Sequence, residues 1–165
     1  MKLTATDILI VDDNTPMRTL LKSYLTAFGA KRLREAASAQ QAIMELKLRP
    51  ADLLLLDHSM PGMSGLDFAR SLRQSEEPEI AHMRIVMISG HGDSQLVAEA
   101  RDSGVDEFLV KPVTMANLME RIEKVMTGGR SFIRADGFFG PDRRRRRNGR
   151  LPKGGERRAT EVELD

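Results

Sequence analysis

The chain has no cysteine and no tryptophan, and only one tyrosine and six phenylalanines in 165 residues. Without cysteine, a disulfide framework, a thiolate zinc site and a cysteine nucleophile are excluded. Long apolar runs are missing as well. The aliphatic stretch Leu53-Leu54-Leu55-Leu56 falls far short of the roughly 20 residues a membrane helix needs. The opening Met1-Lys2-Leu3-Thr4-Ala5-Thr6-Asp7 lacks the apolar segment and small-residue cleavage site of a secretory signal. A soluble, cytoplasmic protein with no membrane span is expected.

What is present divides the chain in two. Hydrophobic residues make up 41%, and the length suits one ordinary domain. The formal net charge of +2 hides a separation of sign. Residues 1–128 hold 15 Lys+Arg and 18 Asp+Glu, giving −3, whereas residues 129–165 hold 11 and 6, giving +5. Such asymmetry marks a folded body with a charged tail.

Along the body, short apolar runs alternate with helical patterns. Ile8–Val11 precedes Asp12-Asp13-Asn14, where Asn14 can cap a helix with Pro16 in its first turn. Met17, Leu20, Leu21, Tyr24, Leu25 and Phe28 then form one helical stripe, stopped by Gly29. A weak strand is expected around Arg32–Glu35, and then a helix capped by Ser38 that ends before Pro50. Leu53–Leu56 and Ile85–Ile88 are continuously apolar, as in strands covered on both faces. Between them lie a turn over 60–65, a short helix with Leu66, Ala69 and Leu72, and a polar loop from about 74 to 84. A helix over about 93–103, a strand at 107–110 and a helix at 114–126 complete the set. Strands alternating with helices predict an α/β protein with a doubly wound parallel sheet and helices on both faces.

In such a sheet, ligands bind beyond the carboxyl ends of the strands. Those ends carry Asp12 and Asp13, Asp57, Ser89, and Lys111. Taken singly, each is an ordinary turn, cap or strand-exit residue. Taken together, three carboxylates, a hydroxyl and an ammonium converge on one crevice. Neighbouring carboxylates repel one another unless a cation shares the site. Hard oxygen donors favour Mg²⁺ or Mn²⁺ over zinc. Lys111 and Ser89 suit the oxygens of a phosphoryl group, and one carboxylate remains as nucleophile toward phosphorus. The arrangement points to phosphoryl transfer onto an aspartate.

Over residues 5–127 the chain resembles the receiver domain of two-component response regulators. The resemblance is carried by Ile8–Asp13, Leu55–Gly65 with its Asp57-His58-Ser59-Met60-Pro61-Gly62, Ile88-Ser89-Gly90 and Phe108-Leu109-Val110-Lys111-Pro112. It implies a flavodoxin-like sheet of five strands in the order 2-1-3-4-5. It implies Asp57 as phosphoacceptor, and Asp12, Asp13, Asp57 and the Ser59 backbone carbonyl as ligands of Mg²⁺. Ser89 becomes the switch hydroxyl, Lys111 the phosphate partner and Phe108 the switch aromatic, although Phe108 alone would read as a half-buried strand residue. A histidine kinase or histidine phosphotransfer protein would donate the phosphoryl group, and a downstream protein would read the 93–126 face. Such a domain is a phosphoacceptor that dephosphorylates itself, and not a turnover enzyme on a metabolite. Ser89 stands where threonine is commoner, and Arg84 where many relatives have proline. Ser59 and His91 flank the phosphate site. His58, His82 and His91 otherwise read as structural or solvent-facing, and the ten methionines as core.

Residues 128–165 read as a basic, largely disordered tail, since the last 37 residues contain only nine hydrophobic ones. Phe132, Phe138 and Phe139 are expected to dock on the body or on a partner. The run Arg143–Arg147 reads as a solvated tail; the alternative is a receiver whose arginine-rich tail binds DNA or RNA under phosphorylation control. The absence of a recognisable DNA-binding fold favours a single-domain regulator acting by protein–protein contact. A flavodoxin-like cofactor binder shares the fold class, but a carboxylate-lined crevice would repel a flavin phosphate.

Overall fold

The computed structural model describes residues 3–128 and 131–142, together with the backbone of a two-residue strand at 160–161. The apolar runs form β1 (Asp7–Val11), β3 (Leu53–Asp57) and β4 (Arg84–Ser89), with β2 (Arg32–Ala36) and β5 (Glu107–Val110) at the edges. All pair in parallel, in the order β2-β1-β3-β4-β5. Successive side chains of a strand point to opposite faces, so each apolar run feeds two cores. Leu9, Val11, Leu54, Leu56, Ile85 and Met87 pack on α2 (Ala39–Leu48), α3 (Gly65–Arg73) and α5 (Ser94–Asp102). Ile8, Ile10, Leu53, Leu55, Val86, Ile88 and Leu109 pack on α1 (Thr15–Ala27) and α6 (Met115–Thr127). The doubly wound α/β sheet with helices on both faces is thus observed as expected. Among the described residues, no helix is long and apolar enough to cross a membrane.

The helices start where their caps allow. Asn14, Ser38, Ser64, Asp93 and Thr114 each accept a hydrogen bond from a backbone N–H in the first turn of α1, α2, α3, α5 and α6. The polar loop expected over 74–84 contains one additional short helix, α4 (Pro78–Ala81), which Pro78 initiates.

Within the segment read as a largely disordered tail from residue 128, the phenylalanine-rich part is ordered, and Phe132 and Phe139 dock on the body as expected. Phe132–Ala135 (β6) and Phe138–Pro141 (β7) form an antiparallel hairpin around Asp136-Gly137, with Gly137 at φ +75°. A two-residue strand β8 (Thr160–Glu161) pairs with the other edge of β6. The nine hydrophobic residues are too few for a core of their own, and the hairpin instead uses the body. The rings of Phe132 and Phe139 lie 4.8 and 5.0 Å from that of His82, and Phe132 covers the Arg73 guanidinium at 5.1 Å. Arg143–Arg147 lie outside the described residues.

Candidate functional site

The strand order reverses between β1 and β3, and the crevice beyond their carboxyl ends is where the site forms. Asp12 leaves β1 buried, and its Oδ1 accepts the Asn14 N–H at 2.8 Å. Asn14 therefore supplies the cap of α1, and Asp13 is left exposed at the mouth of the crevice. Asp57 ends β3, also buried. Lys111, just beyond β5, donates to Asp57 Oδ1 at 2.8 Å and lies 3.8 Å from Asp12 Oδ2. Its backbone N–H donates to the Ser89 carbonyl at 2.7 Å, which fixes β5 against the end of β4. Gly65 lets α3 begin directly over this edge, because a Cβ there would collide with the Asp57 carbonyl oxygen.

Oxygens of Asp12, Asp13 and Asp57 lie within 4.8 Å of one another. Burial, more than any neighbour, raises the Asp12 pKa above the ordinary carboxylate value. The Asn14 N–H and Lys111 oppose the rise, while Asp57 and Asp13 add to it. The cluster therefore has more negative charge than Lys111 balances. Its donors are all hard carboxylate oxygens, the set that suits Mg²⁺ or Mn²⁺.

The remaining predicted residues fall around this cluster. Ser89 is buried at the end of β4, and its Oγ accepts the His91 N–H at 3.1 Å. Phe108, opposite Met87 in the β4–β5 register, is half-buried against the core. Ser59 lies two residues beyond Asp57, with its Oγ 3.4 Å from His58 Nδ1. His58, taken from sequence as an ordinary residue, also brings Nδ1 to 3.4 Å from Ser89 Oγ. Only its place next to Asp57 could have signalled that contact.

The response regulator receiver domain family matches residues 8–123. The chemotaxis protein CheY-3 of Vibrio cholerae is 36% identical over 118 residues, covering 72% of this chain and 89% of that protein. The phosphate regulon transcriptional regulatory protein PhoB of Pseudomonas aeruginosa is 34% identical over 119 residues, but only 51% of it is covered. Among solved structures, the CheX–CheY–BeF₃–Mg²⁺ complex from Borrelia burgdorferi matches with a TM-score of 0.67 at 28% identity, covering 74% of this chain and 90% of that one. A putative response regulator from Chloroflexus aurantiacus matches with a TM-score of 0.68 at 26% identity, covering 73% and 97%. The chain belongs to the response regulator receiver domain family, the phosphoacceptor modules of two-component signalling.

Proposed function

We propose that the chain is a cytoplasmic single-domain response regulator that accepts a phosphoryl group on Asp57 from a histidine kinase or histidine phosphotransfer protein. The observation that carries this reading is the pairing of buried Asp57 with Lys111 at 2.8 Å inside a carboxylate cluster. A carboxylate oxygen of Asp57 attacks phosphorus, the P–O bond forms as the donor's P–N bond breaks, and the leaving imidazole nitrogen takes up a proton. Lys111 neutralises one phosphoryl oxygen and Ser89 donates its hydroxyl to another, so positioning and charge compensation lower the barrier.

Asp12, Asp13, Asp57 and the Ser59 backbone carbonyl would hold Mg²⁺ or Mn²⁺. When bound, the ion supplies positive charge to the phosphoryl oxygens. The Borrelia CheY solved with Mg²⁺ and BeF₃ supports this reading. Movement of Ser89 toward the phosphoryl group frees space for Phe108, and the altered 93–126 face contacts a downstream protein. The domain catalyses its own phosphotransfer and dephosphorylation and turns over no metabolite.

Incubating the full chain with acetyl phosphate and Mg²⁺ should yield a hydroxylamine-labile phosphoprotein, detected by intact mass, and Asp57→Asn should abolish it. Labelling that persists in Asp57→Asn removes the assignment.

A further inference from the structure

His58 is held by its backbone at a fixed place beside the phosphoacceptor. Its N–H donates to the Ile88 carbonyl at 2.9 Å, and its carbonyl accepts the Gly65 N–H at 2.9 Å. The register of β3 on β4, with Asp57 opposite Ile88, therefore sets the imidazole next to Ser89. Nδ1 stands 3.4 Å from Ser89 Oγ and 3.4 Å from Ser59 Oγ. One ring lone pair faces two hydroxyls, and the two are not equivalent. Ser59 reaches solvent, whereas Ser89 is 1% exposed. Ser89 Oγ already accepts the His91 N–H at 3.1 Å, so what it needs is somewhere to donate its own proton. A buried hydroxyl without an acceptor is costly, and Nδ1 in its unprotonated tautomer provides one.

We propose that His58 is a positioning residue of the switch. In the resting protein its Nδ1 accepts the Ser89 hydroxyl proton and holds that hydroxyl away from the phosphoryl position. A phosphoryl group on Asp57 then gains Ser89 only by taking it from His58. The contact stabilises the resting state and lowers the affinity of the site for a phosphoryl group. This inference rests on the assignment of Asp57 and Ser89 proposed above.

The effect should be small and specific. At 3.4 Å the bond belongs in the lower part of the range for neutral hydrogen bonds, which corresponds to about two- to fivefold in an equilibrium constant.

The test is a titration of full-length protein with beryllofluoride at saturating Mg²⁺, followed by ¹⁹F NMR. His58→Ala should tighten binding about two- to fivefold. His58→Asn, whose side-chain oxygen can stand near the Nδ1 position, should return most of the way to wild type. In a Ser89→Ala background, His58→Ala should change nothing. The proposal is overturned if His58→Ala binds as wild type, if its effect survives in Ser89→Ala, or if His58→Asn behaves like His58→Ala. The last two outcomes would make His58 a steric neighbour and leave the phosphoacceptor reading intact. Absence of beryllofluoride binding by the wild-type chain would overturn that reading, and this inference with it.

Discussion

The two ends of the central sheet handle buried charge in opposite ways. At the carboxyl end, oxygens of Asp12, Asp13 and Asp57 cluster within 4.8 Å, and Lys111 is the cation that bridges Asp12 and Asp57. At the amino end, the buried guanidinium of Arg73 gives every direction of its fork a partner. It donates to the carbonyls of Gly104 at 2.9 Å, Ala81 at 2.8 Å and Met83 at 2.6 Å, and to Asp106 Oδ2 at 3.1 Å. Burial lowers its pKa to about 10, with Asp106 pulling the other way, so Arg73 is charged throughout the physiological range. A charge whose three nitrogens are each hydrogen-bonded within the protein holds the scaffold together. A charge left in excess attracts something from outside.

If that distinction is right, the largest loss of stability should come from the end that has no part in the chemistry. Arg73→Ala strips the last turn of α3 of its hold on the starts of β4 and β5 and removes the guanidinium paired with Asp106. Breaking such a buried pair costs about 3–5 kcal/mol, measurable by urea unfolding. Arg73→Lys should recover little, because one ammonium cannot reach acceptors spread around a planar fork. Below the unfolding transition, the Arg73→Ala protein should still bind beryllofluoride with wild-type affinity. A folded variant with impaired binding would show that the two ends are coupled, and the comparison would fail.

The hairpin sharpens the same comparison at a smaller scale. Phe132 covers Arg73 and, with Phe139, packs on His82, whose Nδ1 hydrogen-bonds the Pro78 carbonyl at 2.8 Å. Both phenylalanines are half-buried. Phe132→Ala and Phe139→Ala should therefore each cost about 1–2 kcal/mol, below the range for fully buried rings. Acetyl phosphate labelling of Asp57 should be unchanged in both, at a temperature where each is folded.

Much of the fold was legible because each strand covered on both faces is a continuous apolar run, and each helix carries a cap and a stripe. The edge strand β2 was faint, since Arg32 and Glu35 face solvent and Arg34 reaches back to Asp7 at 2.7 Å. The site was legible because strand ends are its natural location and its residue types are rare there in combination. The hairpin is less legible, although Asp136-Gly137 between apolar residues is a strong local hairpin signal. What concealed it was the missing partner. Docking of the phenylalanines on the body is legible from their density, but the residues that complete the aromatic face, His82 and Arg73, lie some fifty residues earlier in the chain and follow from no local pattern. The same limit hid His58, whose neighbour Ser89 reaches it only through the register of β3 on β4.

The smallest predicted effect tests the excess charge directly. Burial raises the Asp12 pKa, so ionising it is harder in the folded protein than in the unfolded chain. Its contribution to stability is therefore most favourable below the ordinary carboxylate range and is lost as pH rises through the folded-state value. Asp12→Asn keeps an oxygen for the Asn14 N–H and removes the charge. Without divalent ions at neutral pH, this variant should melt a few degrees above wild type, and the gap should close as the pH falls into the carboxylate range. Mg²⁺ should raise the wild-type melting temperature at neutral pH, and the rise should shrink in acid and be lost in the variant. Differential scanning calorimetry across pH and Mg²⁺ concentration reads all of this in one experiment. If Asp12→Asn melted below wild type in EDTA at neutral pH, Lys111 would already be balancing the cluster, and the contrast between the two ends would be one of position only.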